Sequence, residues 1–387
     1  MNSMLIKKIL LILFTLFTLL SIYIGFTSGA FKDGRSQDYQ WGPSKILMEH
    51  HNPYQQYAEF KEGKIENPFM MSQAPNYPAS AYIFLWPYAA MDWNMAKLAW
   101  AVSNLIFTIL ILIGLQRLFP IKKKKILFFI VLLFLGGASW RTVLGNGQHA
   151  LFVMASFIWA LIYSKDKPIL SGILLAISWF KYTITFPLTL FFIYKKSYKA
   201  IVVSTLVHIL LTLFVAYWIN QPIMDFFFGP IQTAMTATNI GEIDIFGIVK
   251  RFDIPISLAY LSIAIILYFV VNIFTKKGNN KSSDLMLLSF LSLLSLIIFF
   301  HLGYDFVLLI LPLWFVFYTD RISSNIKYLV LSSVILQWYI ASIFNIASKK
   351  LSIDTSIANN IFIILQIILI YYIFIYLYKQ LSEKTSI

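Results

Sequence analysis

The chain has no cysteine, only 12% charged residues, and 17 acidic side chains in 387 positions. Without cysteine there can be no disulfide, thiol nucleophile or thiolate metal ligand. Soluble domains carry about 25% charged residues. Half that share, with 59% hydrophobic residues and a mean hydropathy of +0.74, leaves more apolar surface than a water-soluble interior of this length could hide. The phosphate-cradling glycine loop, the GxSxG elbow, the HExxH helix and the dinucleotide fingerprint are all missing. No cofactor is expected. No metal is expected either, because His50 and His51 would point apart on a helix and no other His and carboxylate grouping has ligand spacing.

What is present is a series of apolar runs from end to end. They predict an all-α polytopic membrane protein forming a single domain over residues 1–387, with about 12 crossings (11 to 13). The runs lie near 9–27, 95–118, 126–139, 149–164, 168–180, 183–194, 200–219, 256–274, 285–300, 306–318, 328–344 and 361–377. Several are short for a lipid-facing helix, which suits tilted helices or helices around a cavity. Lys7 and Lys8 precede the run Ile9 to Phe26, and Thr27-Ser28-Gly29-Ala30 follows it. At about 18 residues the run is longer than a signal-peptide core and reads as an uncleaved first helix.

Charge tests this topology independently. The connections assigned to the cytoplasm hold 19 basic and four acidic residues, and the rest of the chain holds 12 basic and 13 acidic. Retention of Lys and Arg on the cytoplasmic side predicts such a split. The net charge of +14 therefore reports topology and not nucleic-acid binding. Both termini are then cytoplasmic, in a bacterial-type inner (plasma) membrane, and residues 28–76 and 220–255 form two long extracytoplasmic loops. Trp41, His50, His51, Pro53 and Tyr54 make the first loop suited to a helix lying in the interface. Residues 77–91 are apolar but fit the charge pattern only as a re-entrant or interfacial segment; a thirteenth crossing is the alternative.

Polar residues gather at the outer helix ends: Asp38, Asn52, Tyr77, Arg141, Asn146, Gln148, Lys181, His301 and Asp305. Singly, each has a plain reading as a residue that snorkels or hydrates. Together they mark a functional cavity. Asp38, with Asp33 as its rival, offers a carboxylate able to take a proton from a hydroxyl. His301 and Asp305 share a helix face at i, i+4; they suit a phosphate, a substrate hydroxyl or a polar cap on the helix starting at Phe306. Lys181, within Trp179-Phe180-Lys181-Tyr182, and Arg141 suit a lipid-linked phosphate or simple snorkelling. Asn146-Gly147-Gln148 makes a tight turn whose amides can bond sugar hydroxyls or backbone.

These residues resemble a known pattern. The helix followed by Asp38 and Asn52-Pro53-Tyr54 comes first, then Asn76-Tyr77-Pro78 with Pro87, then Asn146-Gly147-Gln148. Ser171-Gly172-Ile173-Leu174 with Lys181 and Lys195-Lys196 follows, and His301…Asp305 with Pro312 closes the series. In order and spacing the chain resembles the family 87 glycosyltransferases of the GT-C superfamily over nearly its whole length. It departs in having Tyr77-Pro78-Ala79 for the commoner Tyr-Pro-Pro, and in separating His301 from Asp305.

The resemblance implies a GT-C-like bundle with an extracytoplasmic active-site cavity. It also implies inverting transfer of a hexose, typically mannose, from a polyprenyl-phosphate donor to a lipid or glycan acceptor. Asp38 would be the general base, and Lys181, Arg141 and His301 the donor-phosphate ligands. Asn52, Tyr54, Tyr77, Asn146, Gln148 and Asp305 would bind sugar or acceptor. The competing readings are a transporter or flippase of lipid-linked glycans, another membrane enzyme such as a polymerase or acyltransferase, and a non-catalytic scaffold. Transporters favour broken helices at the midplane and internal repeats, and neither is evident in the sequence.

Overall fold

Backbone polar groups find no water inside a bilayer, so so apolar a chain must pair them within helices or a closed barrel. Here the pairing is helical. The computed structural model describes residues 3–34, 39–68, 74–237, 281–299, 301–319 and 322–340, with isolated positions between 255 and 268 and at 368. Every regular element among the described residues is a helix. Among the described residues five helical runs are, by length and composition alone, long and apolar enough to cross a membrane: Met4–Phe31, Trp93–Leu118, Pro168–Tyr194 (which folds back at Lys181, as below), Tyr198–Ile219 and Lys281–Ile298. A sixth arises if Lys124–Gly136 and Ala138–Asn146, bent by 50°, count as one. The protein is an all-α polytopic membrane protein. The expected crossing near 361–377 and most of that near 256–274 lie outside the described residues.

The helices are α1 (Ser3–Phe31), α2 (Trp41–Met48), α3 (Pro53–Lys61), α4 (Ala79–Tyr82), α5 (Trp86–Ala89), α6 (Trp93–Leu118), α7 (Lys124–Gly136), α8 (Ala138–Asn146) and α9 (Ala150–Tyr163). They continue as α10 (Pro168–Ser178), α11 (Tyr182–Tyr194), α12 (Tyr198–Ile219), α13 (Ile223–Ala237), α14 (Lys281–Ile298), α15 (Ile310–Tyr318) and α16 (Ser324–Ile335). Exposed leucines, isoleucines and valines cover α1, one face of α6 and one face of α12, where lipid would contact them. In contrast, α14 is apolar and buried along nearly its whole length. Its serines bond backbone carbonyls of α14 itself or of α11.

Three local features position the site. First, α1 packs tightly on α8: a side chain at Gly29 would collide with the Leu144 carbonyl, so the small residues Gly25 and Gly29 set the approach. Second, the expected single helix near 126–139 is α7 and α8 with a bend at Gly137, whose backbone is extended. Third, the helical run 168–194 doubles back. Lys181 leaves helical geometry (φ −107°, ψ 77°), Thr185 Oγ1 donates to the Ser178 carbonyl at 2.7 Å, and Trp179 Nε1 donates to Thr189 Oγ1 at 2.9 Å. In one continuous helix residues 179 and 189 would stand about 15 Å apart. The expected separate segments 168–180 and 183–194 therefore correspond to α10 and α11, joined at Lys181.

Residues 77–91 are not one helix. They form α4, a short 3-10 turn (Ile83–Leu85) and α5, pieces of four, three and four residues packed beside α12 and the start of α6. None is long enough to cross. The first long loop also holds two helices, α2 and α3, where one interfacial helix was expected.

Chain direction gives the bundle two unlike ends. Hydrogen bonds from Ser295 to the Thr183 carbonyl and from Lys195 to Asp284 run α11 and α14 antiparallel. Lys122–Lys125, Lys195, Lys196, Lys281 and Lys327 lie at or beside the helix termini of one end. Lys181, His301, Gln148 and the loop helices α2 to α5 lie at the other.

Candidate active site

Three segments deliver the four side chains of one buried polar centre. Gln148 follows the α8 turn, where Gly147 takes the left-handed conformation (φ 68°) and lends its carbonyl to Trp100 Nε1 at 2.9 Å. Lys181 sits at the α10–α11 reversal. His301 and Asp305 come from the connection between α14 and α15, which begins as a 3-10 turn, Gly303–Leu309. Lys181 Nζ donates to Asp305 Oδ1 at 2.5 Å and lies 3.5 Å from Gln148 Oε1. Both oxygens of Asp305 are used, because His301 Nδ1 stands 3.0 Å from Oδ2. All four side chains are buried.

The charge of this centre follows from its hydrogen bonds. His301 Nε2 is 2.9 Å from the Ser295 carbonyl, which can only accept, so that nitrogen carries hydrogen. His301 Nδ1 and Asp305 Oδ2 then hold one proton between them, and the pair is neutral whichever atom bears it. Lys181 leaves the centre at a net +1. Its ammonium also lies 4.8 Å from the centroid of the Tyr304 ring, whose π-face favours a cation. A buried cation in excess is a phosphate-seeking arrangement.

Beside it stands an aromatic wall around His149, with ring centroids of Phe180, Trp100 and Tyr77 at 4.4, 5.3 and 5.5 Å. His149 Nε2 donates to the Tyr39 carbonyl at 3.0 Å. Its Nδ1 and the Tyr39 hydroxyl have no partner among the described residues. Tyr39 also stacks on Trp100 at 4.7 Å. Tyr77 accepts a hydrogen bond from the Tyr54 hydroxyl at its carbonyl, at 2.6 Å. Burial pushes the Tyr39 and Tyr54 phenols well above their usual range, so both stay protonated.

Tyr54 is in turn one wall of a cavity of about 800 Å³ between α3 and α13, lined also by Asn52, Gln55, Tyr57, Asp225 and Gln232. Asn52 caps α3, its Oδ1 accepting from the backbone of Tyr54 and Gln55 at 3.0 and 3.3 Å, while its amide donates to Gln221 at 2.7 Å. Amides, a carboxylate and aromatic rings together suit the hydroxyls and C–H faces of a sugar.

The structure therefore joins Lys181, His301, Asp305 and Gln148 directly and links Tyr77 and Tyr54 to them through Phe180. Asn146 ends α8 one turn away. Among the described residues no hydrogen bond or ion pair joins Arg141 to these four side chains, and its side-chain stem lies against Gly25 of α1. Asp38 lies outside the described residues. His149, Ser295 and Tyr304 belong to the centre although the sequence does not single them out. For His149 a signal exists, since the chain has only five histidines and this one adjoins Gln148. Tyr304 and Ser295 carry no such mark.

The profile of glycosyltransferase family 87 matches residues 76–319. The chain belongs to this family. The match contains Tyr77, Arg141, Asn146, Gln148, Lys181, His301 and Asp305, and leaves Asp38, Asn52 and Tyr54 before its start. No curated protein and no solved structure matches the chain. Family 87 membership makes the protein a membrane glycosyltransferase, acting on a sugar donor and an acceptor, and sets aside the transporter and scaffold readings.

Proposed function

We propose that the protein transfers a hexose, mannose first among them, from a polyprenyl-phosphate donor to a lipid or glycan acceptor on the extracytoplasmic face, within a GT-C-type active site. The observation that carries the proposal is the buried, net-positive centre of Lys181, His301, Asp305 and Gln148. In such a transfer the acceptor oxygen forms a bond to C1 of the sugar as the C1–O bond to phosphate breaks, inverting the carbon. Negative charge grows on the departing polyprenyl phosphate. A pre-placed ammonium stabilises that charge more than the bound ground state, which is what accelerates a reaction.

Asp38 takes the acceptor proton as general base. Its chain neighbour Tyr39 supports this role, being anchored by His149 next to Gln148. The cavity beside Tyr54 receives the acceptor, with Asn52, Tyr77 and Asn146 shaping its approach. In the membrane this end of the bundle faces away from the cytoplasm and the lysine-bearing end faces it, as retention of basic residues requires.

The test follows release of polyprenyl phosphate from labelled polyprenyl-phosphate hexoses, with a membrane-lipid extract as acceptor. Wild-type turnover is expected, with Asp38→Asn folded but slower by at least about 10²-fold, the low end for general-base catalysis. An unchanged rate in the folded variant would move the base to Asp33 or His301. An active enzyme indifferent to loss of Lys181 would remove the phosphate role from this centre.

A further inference from the structure

A second cavity, of about 600 Å³, opens at the lysine-bearing end of the bundle. Lys122 and Lys123 from the α6–α7 connection, Lys327 of α16, Ser282 of α14, and Tyr318 and Thr319 at the end of α15 line it. Among the described residues its lining holds three ammonium groups and no carboxylate. The nearest acid along α14, Asp284, is already bound through both oxygens by Lys195, at 3.0 and 2.9 Å, so it does not neutralise the pocket. Ile126, Ser282 and Lys327 lie in the first turns of α7, α14 and α16, where the helix dipoles add positive potential. Lysines beside helix N-termini work against helix stability, so their convergence on one hollow calls for an anion.

The transferase centre cannot supply that anion. Asp305 and Thr319 stand at opposite ends of the helix formed by Gly303–Leu309 and α15, roughly 20 Å apart by helix rise. The pocket's hydroxyls and lysines suit phosphate oxygens, and its apolar floor, Ile121 and Ile126, suits the glycerol and first methylenes of a lipid. Basic pockets between transmembrane helices are built to hold anionic headgroups.

We infer that this pocket is a phosphate-binding site occupied by the headgroup of an anionic phospholipid, separate from the donor site. The inference does not depend on the identity of the donor or the sugar.

Native mass spectrometry of the purified full chain in mixed micelles of phosphatidylglycerol and phosphatidylcholine tests it. Wild type is expected to retain phosphatidylglycerol at least about tenfold more than phosphatidylcholine. The combined variant Lys122→Ala/Lys123→Ala/Lys327→Ala is expected to lose on the order of 10²-fold of that retention, from several-fold per lysine near a lipid phosphate. Ser282→Glu, which keeps every lysine and adds a carboxylate, is expected to lower retention in the same direction. Unfolding midpoints of both variants confirm that they are folded. Lys165→Ala/Lys199→Ala removes two exposed lysines outside the pocket and is expected to change nothing. No headgroup preference, or an equal loss in this control, would overturn the inference. Displacement of the lipid by millimolar inorganic phosphate would keep the phosphate chemistry and overturn the lipid as its source.

Discussion

Helix α11 carries a lysine ion pair at each end, and the two pairs differ in kind. Lys195 follows its last turn, where unpaired carbonyls carry partial negative charge, and Asp284 lies in the first turn of α14, where free N–H groups carry partial positive charge. Both charges sit where a helix dipole favours them and stay partly exposed, at side-chain exposures of 17% and 13%. Lys181 stands at the opposite end, between the C-terminal turn that follows α10 and the first turn of α11, where the two helix dipoles act on a cation in opposite senses. It and Asp305 are only 6% and 2% exposed. A buried pair repays its desolvation poorly, and hydrophobic residues of similar volume often serve stability as well. The first pair is explained by the helices it joins. The helix dipoles do not explain the second, and its burial in excess positive charge is what the proposed phosphate role would use.

The largest effects should come from breaking the buried pair. Lys181→Met or Asp305→Leu is expected to reduce kcat/KM for hexosyl transfer by about 10²–10³-fold. Asp305→Leu should also cost about 3–5 kcal/mol, because it leaves the Lys181 charge buried and alone, whereas Lys181→Met leaves the neutral His301–Asp305 pair and should cost less. The double variant Lys181→Met/Asp305→Leu should regain most of that stability and none of the activity. Thermal unfolding and polyprenyl-phosphate release measure the two sides separately. Activity returning with stability would make the pair structural and erase the contrast.

Removing the other pair should do much less. Lys195→Met or Asp284→Leu is expected to cost about 1 kcal/mol, as partly exposed pairs do, and to leave transfer within about threefold. Between these lies Gln148→Glu. A carboxylate 3.5 Å from the position of the Lys181 ammonium would cancel the centre's net charge. The KM for the polyprenyl-phosphate donor should rise about tenfold, or roughly 1.4 kcal/mol, with a smaller change in kcat. A change in kcat alone would place Gln148 against the acceptor instead.

Much of this contrast was legible in the sequence, though unevenly. Apolar run length and lysine placement give depth along the helices, so the gathering of Lys181, Gln148 and His301 at one end of the bundle, opposite the lysine-bearing end, was readable from charge. The i, i+4 spacing of His301 and Asp305 gave their contact directly. Depth does not give rotation about a helix axis. Arg141 sits near the expected depth, but its stem turns to Gly25 of α1. Lys181 reaches Asp305 across 124 residues, a pairing no local pattern encodes. Bends resist reading for the same reason: the extended backbone of Gly137 and the reversal at Lys181 depend on packing partners distant in sequence.

The smallest effect concerns the wall between the centre and the outer cavity. The Tyr54 phenol, buried and donating to the Tyr77 carbonyl, ionises well above its ordinary value of 10.0. A group whose folded pKa is raised stabilises the fold fully below its unfolded pKa and loses that contribution as pH climbs above it. Wild type should therefore lose up to about 1.4 kcal/mol per pH unit from Tyr54 above pH 10. Tyr54→Phe starts about 1 kcal/mol less stable, through the orphaned carbonyl, but lacks that loss. The stability gap should then close within about one pH unit above 10, as read from unfolding midpoints between pH 9 and 11. A gap that stays constant would mean that the phenol ionises as freely in the folded protein as in the unfolded chain, and that the wall is open to water. A gap that closes would mean that the wall is dry, with Tyr54 a fixed neutral donor up to the pH at which the gap begins to close.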